Sequence, residues 1–251
     1  MRELSARPYY TLKPFLELFR TGVPILMYHK IGPRPRGVRL KGLYVSVSAF
    51  VRQLGEFHEA GFAACTPGEA CAKSPQSLRV ALTFDDGFCN VFENALGPLA
   101  QHRLRGLQFL VPDAIGKRNE WDLRDGEAPE RLMDTSQIQQ WLRAGHSIGS
   151  HSLTHARLTR LSVRDAREEI VASKKKLEDT FGVAVEHFCY PYGDWNNAVR
   201  DLVMEAGYRT ACTTAFGVNT PATPPFALRR LTVRYPTRTL RALKAKLLGA
   251  G

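Results

Sequence analysis

Strand-like and helix-like segments alternate along almost the whole of this 251-residue chain. Short apolar runs such as 23–29 (VPILMYH) and 79–84 (RVALTF) are separated by amphipathic stretches with helical spacing, among them 135–145, which Thr135 or Ser136 would cap. An unbroken strand–helix–strand order favours parallel strands joined by crossover helices. We therefore predict one α/β domain of barrel type, with any chemistry at the carboxyl ends of its strands.

The composition is that of an ordinary globular protein, with 44% hydrophobic and 24% charged residues, which excludes a disordered chain. No apolar run approaches the roughly 18–20 residues that a membrane-spanning helix requires. Residues 1–22 lack the apolar core of a secretory signal. The five cysteines are widely spaced and form no CxxC pair, so we expect neither a disulfide framework nor a zinc knuckle. These features predict a cytoplasmic protein.

The chain carries 35 Lys and Arg against 24 Asp and Glu, a formal net charge of +11, which favours an anionic partner. Its basic residues are dispersed and match no nucleic-acid-binding signature, so we expect weak, nonspecific nucleic-acid binding at most. Segment 237–248 (TRTLRALKAKLL) has leucines on one helical face and cations near the other. Two interpretations stay open for it: a helix packed on the barrel, or peripheral contact with an anionic membrane at its inner face.

Two strand ends carry residues that together could bind a metal. Asp85 and Asp86 follow RVALTF, and adjacent carboxylates are costly to bury without a cation. His151 ends the strand-like HSIGSH and His155 lies four residues further on, a spacing that allows both imidazoles to reach one ion, on a helical turn or across a tight loop. One carboxylate and two imidazoles leave positions open for water and substrate, while the other carboxylate could act as general base. Alone, the Asp pair is better explained as a helix N-cap with a solvated neighbour, and the His pair is also typical of histidines near a turn.

Together these motifs are recognisable. TFDDG (83–87), HSLTH (151–155) within GHSIGSHSLTH, and YPYG (190–193) resemble the first three motifs of the NodB-type polysaccharide deacetylases, carbohydrate esterase family 4. The resemblance covers roughly residues 23–235. It implies hydrolytic removal of an N-acetyl, sometimes O-acetyl, group from a carbohydrate.

The resemblance also implies a fold, a cofactor and a class of substrate. The fold is a distorted (β/α) barrel of about seven parallel strands over residues 23–251, after an N-terminal extension, 1–22. The cofactor is a divalent metal, with Zn²⁺ first and Co²⁺, Ni²⁺ or Mn²⁺ as alternatives. The substrate is an N-acetylated sugar of a cell-surface polysaccharide or of its nucleotide- or lipid-linked precursor, which the +11 charge favours. The oligomeric state cannot be read from the sequence.

By this resemblance Asp85 matches the catalytic base. The family's metal ligands match the remaining members of the set described above: Asp86, His151 and His155. Pro191 and Tyr192 match the third motif, in which the backbone N–H at the Tyr position helps to hold the oxyanion. The chemistry agrees, because a divalent metal lowers the pKa of bound water and polarises the acetyl carbonyl. An acid must also protonate the departing amine.

The chain departs from the family pattern at the third-motif arginine, which in many members orients the catalytic Asp. Cys189 stands in that place. We predict that Arg230 substitutes for it, with Arg229 as the neighbouring alternative. Both arginines could equally belong to the basic surface.

The second departure concerns the catalytic acid, because no histidine follows His187. Members that resemble the biofilm-exopolysaccharide deacetylases carry a Met-Tyr-His motif on the first strand, and this chain has Met27-Tyr28-His29. We therefore predict His29 as the acid, the alternative being a structural histidine at a strand end.

Trp121 and Asp122 lie in the long loop 112–134 and are predicted to line the sugar site, since an indole stacks on the apolar face of a pyranose. Trp195 could do the same, although loop packing is its favoured interpretation. Cys89 is expected to be a buried small residue. The remaining histidines are read as structural: His58, His102, His146 and His187.

Two other function classes stay in view. The missing third-motif arginine keeps open a barrel that binds glycan without turnover. A non-haem Fe(II) oxygenase could use a similar ligand set. Oxygenases of that kind order their ligands His-x-Asp/Glu and then a distant His on a β-helix, which this alternating α/β chain does not follow.

Overall fold

The computed structural model describes residues 8–71, 78–127 and 129–234. The predicted helix at 237–248, with its membrane contact, lies outside the described residues. None of the helices within the described ranges is long and apolar enough to cross a membrane.

Seven parallel strands of the described part form a curled sheet. In chain order they are β1 (Val23–Tyr28), β2 (Arg79–Phe84), β3 (Gly106–Leu110), β4 (Ser147–Ser150), β5 (His187–Cys189), β6 (Thr210–Cys212) and β7 (Leu231–Thr232). Strands β1 to β6 lie side by side in chain order, and β7 pairs with the other edge of β1. A parallel bridge between Cys212 and Leu228 brings the segment before β7 against β6. The predicted single-domain α/β barrel is confirmed.

The strands are buried along nearly their whole length, as expected when helices cover the outer face of a parallel sheet. The α-helices of the described part are α1 (Leu16–Arg20), α2 (Val47–Glu59), α3 (Cys89–Gln101), α4 (Thr135–Arg143), α5 (Val163–Phe181) and α6 (Asn197–Glu205). Short strands occur at Lys30–Ile31, Tyr44–Val45, Ala63–Ala64 and Val218–Asn219. Short 3₁₀ helices occur at Lys13–Phe15, Lys41–Leu43, Glu69–Cys71, Pro112–Ala114, Glu120–Asp125, Leu158–Arg160 and Pro191–Gly193.

The start of α4 differs from the sequence prediction. Its N-cap is Asp134, whose carboxylate accepts a hydrogen bond from the Gln137 backbone N–H, while the Gln137 side chain bonds back to the Asp134 N–H. This reciprocal capping box satisfies two backbone donors, so the helix begins at Thr135 and neither Thr135 nor Ser136 caps it.

The described part of the N-terminal segment packs against the barrel. Tyr9, Phe15 and Phe19 are buried; the Tyr9 and Phe19 rings stack on each other and on Phe57 of α2, and the Phe15 ring packs against Tyr9 and Phe19 at a tilt. The Tyr9 backbone N–H donates to the Thr232 carbonyl in β7 at 2.9 Å. Residues 8–19 therefore contribute to the core, while the division at residue 22 stays a prediction.

The pH dependence of stability should reflect a buried histidine at the far end of β4. His146 stacks on Trp141 with ring centroids 4.2 Å apart and accepts a hydrogen bond from the Gly106 N–H at 3.2 Å. Burial, helped by Arg105, lowers its pKa to about 4. Between about pH 6.5 and pH 4 the unfolded chain binds a proton at this position that the folded protein does not, so acid favours unfolding.

We expect the free energy of unfolding to decrease as the pH is lowered through that range, and His146 should contribute up to about 1.4 kcal/mol per pH unit to the decrease. His146→Asn keeps a hydrogen-bond acceptor and should make the fall shallower, whereas His58→Asn, at an exposed histidine, should leave it unchanged. Urea denaturation at pH 7, 6 and 5 measures this. An identical slope for wild type and His146→Asn would contradict the assignment.

Candidate metal centre and catalytic site

A tight turn after β2 carries two buried carboxylates into the mouth of the barrel. Asp85 and Asp86 are 2% and 5% exposed, and Asp86 has a positive φ of 74°. Gly87 follows with φ of 80°, and a Cβ there would approach the Leu110 side chain to 2.8 Å. This turn therefore requires glycine after the aspartates.

The loop after β4 brings two imidazoles to Asp86. Ser152 and His155 have positive φ values of 62° and 66°, and the Ser152 hydroxyl accepts from the His155 backbone N–H at 3.1 Å. Nε2 of His151 lies 3.4 Å from Asp86 Oδ1, and Nε2 of His155 lies 3.3 Å from the same oxygen. Of the two predicted arrangements for HSLTH, the structure has the tight loop.

These three side chains fit a divalent metal ion. Asp86 Oδ1 is buried without a hydrogen-bond partner among the described residues, and the three ligand atoms lie within 4.8 Å of one another. His151 Nδ1 shares a 2.7 Å hydrogen bond with the Cys189 carbonyl; because a carbonyl only accepts, Nδ1 carries the proton and Nε2 faces Asp86. Burial raises the pKa of the Asp86 carboxyl, but the two imidazoles outweigh burial and hold it well below its usual value. An ionised carboxylate with two imidazoles is a ligand set that suits zinc and similar ions.

Asp85 is held by Arg230. The guanidinium is 1% exposed and donates to both carboxylate oxygens, at 2.7 Å to Oδ1 and 2.8 Å to Oδ2. Its Nε donates to the Thr213 carbonyl at 2.8 Å, which fixes the plane of the fork. Burial raises the pKa of the Asp85 carboxyl, but Arg230, followed by His29, outweighs it and keeps that pKa below its ordinary value. Asp85 is therefore ionised near neutral pH.

The two candidate arginines point in opposite directions. Arg229 is exposed, and its backbone groups bond to the Asn219 side chain. Arg230 turns inward, with Nη2 at 3.1 Å from the Cys189 sulfur. The small side chain at position 189 leaves room for a guanidinium that arrives from the segment before β7, as the prediction for Arg230 requires.

His29 follows β1 on the same side of the barrel. Its Nε2 lies 3.8 Å from Asp85 Oδ2, and its side chain is 17% exposed. Burial lowers the pKa of His29, and the nearby Asp85 carboxylate partly opposes that effect. The imidazole is thus within reach of both the carboxylate and the open mouth.

Aromatic rings surround His155. Trp121 stacks on it with centroids 4.5 Å apart, and the Tyr192 ring lies 4.6 Å away at a steep angle. All three line an open cavity of about 1020 Å³. Tyr192 has a positive φ of 61°, in a turn that the buried Pro191 begins.

Two predicted neighbours lie away from the cavity wall. Asp122 is buried and accepts a 2.6 Å hydrogen bond from the Asn119 side chain, so it organises the loop beneath Trp121. Trp195 stacks on Tyr190 with centroids 5.7 Å apart, in agreement with a packing role.

Cys89 is buried beside the Gln137 side chain, as expected for a small residue of the core.

Sequence reasoning did not identify Lys30, next to His29. It is 1% exposed, with its ammonium 2.9 Å from Glu130 Oε1 and 4.5 Å from the centre of the Phe88 ring. Glu130 also accepts from Asn90 at 3.0 Å. This pair ties the strand end that carries His29 to the loop that carries Trp121. A lysine is normally a surface residue, so the sequence held no signal for it.

Comparisons with known proteins point to one enzyme family. Residues 72–211 match the family model of polysaccharide deacetylases. YxkH of Bacillus subtilis, itself assigned to the polysaccharide deacetylases, is 26% identical over 216 residues, which cover 84% of this chain and 71% of YxkH. Peptidoglycan-N-acetylglucosamine deacetylase PgdA of Listeria monocytogenes is 26% identical over 132 residues, 52% of this chain and only 25% of PgdA.

A solved structure is also similar. BC0361, a polysaccharide deacetylase from Bacillus cereus, superposes with a TM-score of 0.74 at 26% identity, over 90% of this chain and 69% of BC0361. The family resemblance inferred from TFDDG and HSLTH is confirmed. The subtype inferred from Met-Tyr-His stays a prediction.

Metal binding should depend on Asp86 and not on its neighbour. We expect Asp86→Ala to weaken Zn²⁺ binding by more than the 10–100-fold that loss of an outer-shell partner costs, because it removes an ionised ligand. Asp85→Asn, a change one residue away with the same loss of charge, should keep stoichiometric metal. Elemental analysis after reconstitution, with competition by a chelator, measures both. Full metal content in Asp86→Ala would show that the ligand set is wrong.

The buried Asp85–Arg230 pair should dominate local stability. Arg230→Met leaves a buried carboxylate without its cation and should cost about 3–5 kcal/mol in the free energy of unfolding. Arg229→Met, at the exposed neighbour, should change it by less than about 0.5 kcal/mol. Adding Asp85→Asn to Arg230→Met should recover part of the loss, since the stranded charge is removed. Equal effects of the two single arginine changes in urea denaturation would refute the pairing.

Proposed function

This chain belongs to the polysaccharide deacetylase family, and we propose that it removes the N-acetyl group of an N-acetylated sugar by hydrolysis. One observation carries the proposal: an ionised carboxylate held by Arg230 lies beside a separate set of three metal-ligand side chains, at one end of the barrel. A base and a metal site so close together are the parts that amide hydrolysis requires.

Asp86, His151 and His155 would hold the ion, with Zn²⁺ first and Co²⁺, Ni²⁺ or Mn²⁺ as alternatives. When bound, such an ion lowers the pKa of a water molecule and polarises a carbonyl oxygen. Asp85 accepts the proton of the attacking water. Arg230 donates a hydrogen bond to each Asp85 oxygen and so fixes the orientation of the carboxylate toward the water.

The developing oxyanion needs donors that are already in place. We assign the backbone N–H of Tyr192, which follows Pro191, to this role; support comes from the Tyr192 ring, which lies 4.6 Å from the His155 ring. His29 is the acid in this proposal, because its Nε2 lies 3.8 Å from Asp85 and no other histidine outside the ligand set approaches that carboxylate among the described residues. This assignment corresponds to the subtype with a Met-Tyr-His motif.

The sugar is proposed to be N-acetylglucosamine or a close relative, in a cell-surface polymer or in its nucleotide- or lipid-linked precursor. The PgdA name supports this sugar, and Trp121 beside His155 offers a surface on which a pyranose can stack. A glycan-binding barrel without turnover is the second candidate. The Asp85–Arg230 pair argues against it, since it supplies the cation that the third motif lacks.

The first experiment is acetate release by metal-reconstituted protein. The substrates are a nucleotide-activated N-acetylhexosamine, a lipid-linked analogue and a short N-acetylglucosamine oligomer. We expect release from at least one, and a fall of about 10²–10⁴-fold in kcat for Asp85→Asn with metal still bound, because a general base contributes that much. No release from any substrate, with stoichiometric metal, would favour the binding-only barrel.

The role of His29 can be separated from that of Asp85 by the leaving group. An aryl acetate has a leaving group that departs without protonation, whereas a sugar amide does not. His29→Gln should lose about 10²–10⁴-fold on the amide and little on the aryl ester, while Asp85→Asn should lose activity on both. Equal losses on both substrates for His29→Gln would remove His29 from the role of acid.

A further inference from the structure

A basic groove leads away from the candidate site. The cavity that Trp121, His155 and Tyr192 line at one end is bounded further along by cationic side chains. We call these four the cationic groove: Lys117, Arg118, Arg157 and Arg160. Two come from the loop after β3 and two from the segment that follows HSLTH, so two loops of the barrel mouth face each other across the space.

The charge of this groove is not neutralised by the protein. Among the described residues, no carboxylate forms an ion pair with any of the four cations. Exposed cations elsewhere do pair, as Lys175 does with Asp179 and Arg209 with Glu186.

The two acids on the groove wall do not change its sign. Asp113 is already held by Lys176 at 2.8 Å, and Glu120 is the remaining acid against four cations. The groove therefore presents a net positive charge to whatever enters it.

Part of the groove is also held in position. The Arg157 guanidinium stacks over the Tyr192 ring at 3.7 Å, and that ring is the one that contacts His155. Arg118 donates to the Pro129 carbonyl at 2.8 Å, which fixes its side chain without cancelling its charge. A planar guanidinium held in this way can donate two parallel hydrogen bonds to a phosphate or a carboxylate.

We propose that the cationic groove binds an anionic group, phosphate or carboxylate, carried by the glycan close to the sugar that is deacetylated. This inference rests on the proposed function, since it takes the reacting sugar to lie at His155 and Trp121. Arg157 is then two ring contacts from the metal-ligand imidazole, so the anion belongs to the same or the neighbouring sugar. The net charge of +11 favours an anionic partner but does not show where on the protein it binds. The cationic groove gives the position of that contact.

The test compares three oligomers of one length: neutral N-acetylglucosamine, the same oligomer with a terminal phosphate, and an oligomer with carboxylates on alternate sugars. We expect kcat/KM to be about tenfold higher for at least one anionic oligomer, since each exposed ion pair contributes up to about fivefold. The preference should shrink as salt is raised. The oligomer that shows it identifies the anion.

The variants make the test specific. Arg118→Gln with Arg157→Gln removes the two guanidiniums that are held in position and should bring the anionic-to-neutral ratio to within about twofold of one. Lys175→Gln with Arg209→Gln also removes two positive charges, but outside the groove, and should leave the ratio unchanged. Equal kcat/KM for all three oligomers, or a ratio that the groove variant does not alter, would overturn the inference.

Binding distinguishes this inference from the proposed function. Calorimetric titration of Asp85→Asn with the same oligomers reads affinity without turnover. Absence of acetate from every oligomer and from the nucleotide- and lipid-linked substrates would defeat the deacetylase proposal, and a tighter Kd for the anionic oligomer in Asp85→Asn would still support the groove. Equal Kd values there would overturn the groove whatever the activity.

Discussion

Two carboxylates on consecutive residues are buried at the mouth of this barrel, and each requires its own counter-charge. Burying an ionised carboxylate without a partner costs several kcal/mol, so the surrounding structure must supply cations from elsewhere in the chain. Asp85 receives the Arg230 guanidinium through two hydrogen bonds. Asp86 receives two imidazoles and, in our proposal, the metal ion that they would bind together. This division separates the proposed base from the proposed metal ligand although the residues are adjacent.

The constraint explains which parts of the site could be predicted. Asp85, Asp86, His151 and His155 carry a pattern in the chain itself, because each follows a strand and all strand ends of a parallel barrel meet on one side. Arg230 could be predicted only from chemical need, because a buried Asp without its usual arginine needs another cation. The choice between Arg230 and Arg229 was open in the sequence and depends on contacts with Thr213 and Cys189.

Other features depend on contacts between distant segments, which a single sequence does not display. Lys30 is buried because Glu130, a hundred residues later, lies opposite it. The same two loops meet again where Glu127 accepts hydrogen bonds from the Arg39 and Leu40 backbone N–H groups. Positive φ at Asp86, Ser152 and His155 belongs to the turns after β2 and β4, and the motifs in the sequence do not display it. The α4 cap was missed for a local reason, since Asp134 lies one residue before the segment that has helical spacing.

The structure also divides chemistry from selectivity. The proposed base, acid and metal ligands stand on strand ends, each fixed by hydrogen bonds or buried ion pairs, and such positions tolerate little change. The cationic groove stands on loops whose cations make few contacts with the rest of the protein, so its charge could be altered with small effects on stability. Arg157 joins the two parts, because it stacks on the ring that contacts the His155 imidazole. An anion held there would only position the reacting sugar, since no side chain of the groove takes part in breaking the amide bond. Recognition of the charged substituent would therefore change how often the amide reaches Asp85, and leave the strength of the base, which Arg230 sets, unaltered.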